Sequence, residues 1–483
     1  HIMRRRQRQM CIRDRESTPT RLGFHGGDLH GVTEKIDYIK DLGVNIIYLN
    51  PIFLSSSTHK YDAWDHFKVD DTFGGDEALK DLIKEAHSRN MKVVLDCSLN
   101  HVHPRHFAFQ DIVEKGEKSE YKDWFTVFDY PVRFLHRPHL YANTYKVGWD
   151  GNAEEYKTYL EKTFKETKVP VEVVDDDGPI IEPTFKAWWG VPDMPKINFK
   201  NDGARQWALD VTEHWIKNFD IDGWRMDVAK ELDFSFWKDF RDVAYSAKKD
   251  ILLISEIFGD TSQWLQGERF DGTMNYSFRE TMTDYFATKR IDNKEFANSL
   301  ANLYSMYSFE ALSSCQNLLS SHDVKRFLNR CGANTDGMFG AVFLQATFPG
   351  IAGIYYGDEI GLGGADDPFN REPFPWESED KWNKDLLKFT SELMNIKTSQ
   401  PILRYGNFEM VTYDDNYVIF RRVLNDESLL CIVNRDLNNK DIELNTNAHS
   451  VDMVYGDCSI ELDSGKLKIT DIADNFGLII KES

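Results

Sequence analysis

Three acidic residues each close an apolar run: Asp227 after "GWRM", Glu256 after "ILLIS", and Asp323 at the end of "QNLLSSHD". Carboxyl groups gathered at one place cannot all ionise freely, because like charges raise one another's pKa. One ionised and one protonated carboxyl at the same pH is what cleavage of a glycosidic bond demands. In the retaining version the two groups lie about 5–5.5 Å apart and a covalent sugar–enzyme intermediate forms. Arg225 stands two residues before Asp227, on the same face of a strand whose side chains alternate with period two. Its fixed charge is expected to hold Asp227 ionised. Glu256 follows an apolar strand, and partial burial favours its protonated form. His322, next to Asp323, and His101 offer hydrogen bonds to sugar hydroxyls as positive charge develops; the alternative is that both are satisfied core histidines.

Residues so far apart in the chain meet only if the fold brings strand ends together. Apolar runs such as "VNIIYLN", "MKVVLDCSLNH", "IDGWRMD", "DILLISE", "FDGTMNY" and "IAGIYY" alternate with amphipathic segments. "VTEKIDYIKDLG" puts Val32, Ile36, Ile39 and Leu42 on one helical face, ended by Gly43. This pattern predicts an α/β fold of parallel strands covered by helices, here a (β/α)8 barrel. Its strands end in Asn50, Asp96, Asp227, Glu256 and Asp323, and in such a barrel these ends share one rim. Residues 21–101 and 199–401 are assigned to the barrel. Residues 102–198, too long for a simple connection, are assigned to an inserted excursion domain after the third strand. From residue 402 to 483 short alternating runs such as "YVIFRRVL" predict an antiparallel β-sandwich. Residues 1–20 read as a tag or non-native remnant, in which "QMCIRDR" is the one segment available for the first barrel strand.

The composition excludes several classes. A net charge of −21, from 79 acidic and 58 basic residues, argues against nucleic acid and against an anionic membrane surface. No apolar run approaches the ~20 residues of a membrane span, and "HIMRRRQRQMCIRDRE" has no apolar core of a signal peptide. A cytoplasmic location is the expectation. The six cysteines are scattered without metal-like spacing and read as buried thiols.

Four separated blocks resemble those of the α-amylase family of glycoside hydrolases (family 13): "DCSLNH" (96–101), "GWRMDVAKE" (223–231), "SEIFGD" (255–260) and "LLSSHD" (318–323). "MPKIN" (194–198) resembles a fifth block of the neopullulanase, cyclomaltodextrinase and maltogenic amylase branch, as do "GGDLHGV", "YLNPIF", "HKYDAWDHF" and "YYGDEIG". The likeness covers roughly residues 21–480 and rests on several blocks in order along successive strand ends. It implies Asp227 as nucleophile, Glu256 as general acid/base and Asp323 as a carboxylate gripping sugar hydroxyls. It further implies Tyr61 as a stacking platform under the cleaved sugar and Arg371 as a contact to the sugar beyond the cleavage point; a surface salt bridge is the plain alternative for Arg371. Asn100 matches a calcium ligand of many members, and the acidic "VVDDDGP" offers oxygen donors; otherwise Asn100 only braces the rim. No cofactor is needed for the chemistry itself.

The chain also departs from the branch. Lys230 and Glu231 combine two acceptor-side signatures, and Phe258 and Gly259 stand where Trp and His are commoner. That trims the acceptor wall and loosens preference between α-1,4 and α-1,6 linkages. Trp188 and Trp189 in "AWWGVPD" either stack on sugar or hold the excursion to the barrel. The branch commonly carries an N-terminal β domain that supports dimers; without one, a monomer or weak dimer is expected. The leading expectation is a retaining hydrolase of maltooligosaccharides, cyclodextrins, pullulan or starch. A glucanotransferase with the same mechanism is the near alternative, and a non-catalytic glycan-binding scaffold a distant one.

Overall fold

The computed structural model describes residues 19–20, 23–141, 153–435, 440–473 and 476–483. The segment expected to hold a tag remnant and the first barrel strand therefore falls almost wholly outside the described residues. Seven parallel strands follow: β1 (Ile46–Leu49), β2 (Lys92–Cys97), β3 (Gly223–Met226), β4 (Leu252–Ser255), β5 (Gly272–Thr273), β6 (Gln316–Leu318) and β7 (Ile351–Gly353). They pair in chain order, β1 to β5 in one sheet and β6 with β7, and a parallel bridge from Met274 to Gln316 joins the two sets. Helices between strands cover the outer face, among them α1 (Gly75–Ser88), α3 (Asp202–Phe219), α4 (Phe236–Ala247) and α5 (Asp336–Thr347), with α2 (Ala153–Thr167) in the excursion and α6 (Lys384–Ser399) after the last strand.

The alternation along β3 shows how the sequence divides inside from outside. Trp224 is buried in the layer between strands and helices, tilted against Phe53 at 6.4 Å, and Phe53 in turn packs on Trp215 of α3. Arg225, its neighbour, points the other way, into the mouth of the sheet. The helix expected at 32–42 is two short helices, Leu29–Glu34 and Ile36–Asp41. Thr33 donates its hydroxyl back to the Leu29 carbonyl, a local bond that competes with helix continuation. Gly43 ends the pair at φ +83°, where a Cβ would lie 2.6 Å from the Asn395 amide nitrogen.

Between β2 and α3 the excursion folds as a three-stranded sheet, with Phe134–His136 between Val171–Val173 and Ile181–Pro183. Phe109, Phe125, Phe134 and Phe185 are buried beneath it. The extra helix anticipated over the cleft is α2; residues 142–152 of that stretch lie outside the described residues.

Eight strands complete the chain: β8 (Asn407–Tyr413), β9 (Val418–Leu424), β10 (Glu427–Val433), β11 (Ile442–Asn445), β12 (Val451–Tyr455), β13 (Ser459–Asp463), β14 (Lys466–Thr470) and β15 (Gly477–Glu482). They form antiparallel sheets of order β8-β9-β10-β15-β12 and β11-β14-β13. Strand β10 is apolar on both faces for a reason. Leu430 and Ile432 pack with Ile442, Leu467 and Ile469 of the second sheet, whereas Leu429, Cys431 and Val433 pack with Phe343, Leu344 and Leu393 of helices α5 and α6.

That second contact is polar at one point. The C-terminal carbonyls of α5 have no helical partner, and two buried basic side chains satisfy them. Arg422 donates to the Thr347 carbonyl at 2.6 Å and to Gly406 at 2.7 Å; Lys397 donates to Ala346 and Phe348 at 3.1 and 3.2 Å. Replacing Arg422 by Ala removes charged hydrogen bonds and strands buried carbonyls. Urea denaturation is expected to show a loss of about 2–3 kcal/mol. An unchanged midpoint would refute this account of the junction.

Candidate active site

One guanidinium organises the rim. Arg225, 1% exposed, lies in register with Asp96 across the β2–β3 pair and binds its Oδ1 at 3.0 Å. The same Nη1 reaches Asp227 Oδ1 at 3.0 Å, while Nη2 lies 3.5 Å from Glu256 Oε1 and 3.8 Å from Asp323 Oδ2. Met274 Sδ sits against Nε at 3.3 Å. Four carboxyls thus meet one cation.

The backbone fixes the two nearest acids where β3 and β4 run out. The Asp227 N–H donates to the Cys97 carbonyl at 3.0 Å, and the Glu256 N–H to Met226 at 2.9 Å, each extending the ladder one residue past the strand. Val228 then adopts φ +40°, an uncommon conformation for a β-branched residue. Its N–H donates to Glu256 Oε2 at 3.0 Å, so the turn after one acid orients the other.

Burial pushes Asp227 well above the usual carboxylate range; Arg225 opposes the shift, and the charges of Glu256, Asp96 and Asp323 add to it. Arg225, expected to hold Asp227 ionised, does work in that direction, but one guanidinium faces four acids. Asp323 goes the other way. Although burial raises it, the His322 hydrogen bond at 3.0 Å and the charges of His322, Arg225 and Arg371 hold it at about 2.

Tyr61 joins the two sides of the mouth. Its hydroxyl lies 2.8 Å from Asp96 Oδ2 and 2.7 Å from His322 Nε2, and its ring is nearly parallel to His322 at 5.6 Å. Burial pushes this phenol well up, so it stays a donor. Tyr48 donates to the same Asp96 oxygen at 2.5 Å. Tyr48 and the role of Asp96 as an anchor escaped sequence reasoning. The available signal was an inward-facing hydroxyl one residue before the end of β1. Asn50, beyond β1, is exposed and stands apart from the cluster.

His101 is buried and neutral, its pKa lowered to about 3 by desolvation. Asn100 Nδ2 and His101 Nδ1 are 3.1 Å apart, and Trp188 stacks on the imidazole at 5.1 Å. Arg371 forms the salt bridge weighed for it, with Asp367 at 3.2 Å, and donates to the His322 carbonyl at 3.0 Å. Glu231 is tied to Lys196 of the "MPKIN" block at 2.8 Å, whereas Lys230 is exposed. Phe258 is exposed and lies flat on Tyr276 at 3.9 Å.

Asn100, matched to a calcium ligand, has a buried Oδ1 without a hydrogen-bond partner, and among the described residues there is no group of three or more His, Cys, Asp or Glu side chains that could hold a metal. The acidic loop expected to offer donors is engaged otherwise: Asp176 and Glu182 pair with buried Arg137, and Asp175 lies 3.7 Å from His139.

Comparison with known proteins places this arrangement. The α-amylase catalytic-domain profile matches residues 9–170 and 184–406. The chain is 36% identical over 428 residues to a cyclomaltodextrinase of Thermoanaerobacter pseudethanolicus, covering 88% of this chain and 67% of that protein. It is 36% identical to neopullulanase 2 of Thermoactinomyces vulgaris, covering 87% and 64%. The chain thus spans about two thirds of the length of these relatives. Among solved structures, the ligand-free cyclic α-maltosyl-(1→6)-maltose hydrolase of Arthrobacter globiformis superposes with a TM-score of 0.79 at 30% identity, covering 97% of this chain and 92% of that one. No described helix is long and apolar enough to cross a membrane. An α/β catalytic fold with a C-terminal antiparallel β region, carrying clustered acids at its strand ends, accordingly belongs to the α-amylase family of glycoside hydrolases, in the branch of cyclomaltodextrinases, neopullulanases and maltogenic amylases.

Proposed function

We propose that this protein is a retaining α-glucan hydrolase acting on maltooligosaccharides, cyclodextrins, pullulan or starch, cleaving α-1,4 and also α-1,6 glucosidic bonds on a closed (β/α)8 barrel. The observation that carries the reading is the shared guanidinium, with Asp227 at 3.0 Å and Glu256 at 3.5 Å from its two terminal nitrogens. The resemblance to the α-amylase family casts Asp227 as the nucleophile of this pair and Glu256 as its proton donor. The Val228 N–H holds Glu256 Oε2 and Arg225 Nη2 lies 3.5 Å from Oε1, so the carboxyl is fixed in orientation.

The steps follow from those positions. A glucose unit rests on the Tyr61 ring. An Asp227 oxygen attacks its anomeric carbon while Glu256 delivers its proton to the glycosidic oxygen, and the leaving chain departs with a free hydroxyl. The product is an ester between Asp227 and the sugar. Glu256, now ionised, takes a proton from water as that water attacks the anomeric carbon and frees Asp227. Asp323, His322 and neutral His101 bind hydroxyls of the reacting unit, where their hydrogen bonds strengthen as the ring gains oxocarbenium character. Arg371 contacts the neighbouring sugar, and Lys230, Glu231 and Phe258 line the acceptor side. The names of the relatives support the substrate class, since they act on cyclic and branched α-glucans; the Arthrobacter enzyme has also been solved with cyclic α-maltosyl-(1→6)-maltose bound.

Glu256→Gln is expected to reduce turnover of maltotriose at least ~10³-fold yet spare glycosylation by α-maltosyl fluoride, whose leaving group needs no proton. Asp227→Asn should abolish reaction with both. Early products followed by NMR should be the α-anomer. An initial β-anomer, or equal loss on both substrates in Glu256→Gln, would defeat the assignment.

Asp227 also predicts a pH-dependent stability. A carboxyl whose pKa is raised on folding disfavours the native state above its unfolded pKa near ~3.9, and the penalty grows until the folded pKa is passed. Below that window both states are protonated. Asp227→Asn should therefore stabilise the inactive protein by on the order of 1–2 kcal/mol at pH 7. Thermal melts across pH should show the gain fading near pH 4, and a variant less stable than the parent at pH 7 would contradict the sign.

A further inference from the structure

Trp188 and Trp189 turn out to occupy different environments. Trp188 is half-buried between two rings, parallel to His101 at 5.1 Å and to Trp189 at 5.3 Å. Trp189 is 85% exposed, the most exposed of the large hydrophobic side chains among the described residues. Its backbone is at φ +51° and ψ 21°, a left-handed conformation that bulky L residues adopt at a cost. A large indole held in that conformation in water is unfavourable twice over, and such outliers persist where the surroundings impose them.

The surroundings do impose it. The Trp188 N–H donates to the Met194 carbonyl at 2.9 Å, Val191 to Trp188 at 2.9 Å and Met194 to Val191 at 3.1 Å. Ala187 bridges Pro195, and His101 bridges Lys196. Lys196 in turn holds Glu231, four residues past the nucleophile. The loop that carries Trp189 is therefore braced on both the first and second blocks of the site. From the buried imidazole of the reaction centre, three rings step outward in near-parallel stack to an open indole.

We infer that Trp189 is a stacking platform for a glucose unit of the substrate chain outside the reacting pair, with Trp188 as the spacer that sets its height over His101. The apolar face of a glucose ring suits an indole face, and a two-torsion aromatic side chain presents that area with little entropy to lose. The platform selects long or cyclic α-glucans over short ones. It rests on the α-glucan reading above and deepens it.

The test uses Trp189→Ala and Trp189→Phe, each made in the parent and in the Glu256→Gln background. In the parent, Trp189→Ala should lower the ratio of kcat/KM for maltoheptaose to that for maltotriose by about tenfold, mainly through KM. Trp189→Phe should restore most of it. In the Glu256→Gln background, calorimetry should show maltoheptaose bound about tenfold more weakly when Trp189 is Ala. A ratio unchanged within about twofold, or equal losses on both sugars, overturns the platform while leaving the hydrolase reading intact. Failure of Glu256→Gln protein with Trp189 intact to bind either sugar overturns the α-glucan reading and the platform with it.

Discussion

Everything at the rim depends on keeping one guanidinium dry. Arg225 is sealed beneath Tyr61, Met274 and the strand ends, and its charge is shared among Asp96, Asp227, Glu256 and Asp323. Desolvating a cation costs several kcal/mol unless anions compensate it; here the anions overcompensate. Burial and the neighbouring acids together raise Asp227 above the usual carboxylate range. The strands supply geometry, but the imbalance of charge supplies the chemistry.

Asp96 has a structural part in this imbalance. It receives hydroxyl hydrogens from Tyr48 and Tyr61 together with the Arg225 bond. Three donors hold it on the floor of the site, and through it Tyr61 and Arg225 are positioned relative to each other. Asp323 differs again, held near 2 by His322 and two arginines, and so carries a fixed charge. Environment, not residue type, separates the roles of these acids.

Much of this was legible in the chain. Period-two alternation predicted the face shared by Arg225 and Asp227, because the pleat leaves no other choice. The apolar runs and their acidic ends followed from parallel strands buried on both faces. Protonation was less legible, because a pKa is set by how many charges converge, and spacing along the chain does not reveal that number. Tyr48 was missed for a similar reason: its hydroxyl matters only through an acid 48 residues away. The two tryptophans could not be told apart in sequence, since only a left-handed backbone turn sends one inward and the other out.

The junction between α5 and the C-terminal strands carries a consequence for modular exchange. Arg422 on β9 and Lys397 on α6 close the same helix end from two directions, and β10 lays one apolar face on α5 and α6. A chimera with its crossover near residue 402 would pair a donor from one parent with carbonyl acceptors from another. Inheritance of the C-terminal antiparallel sheets together with α5 and α6 as a single block is the arrangement this wiring favours.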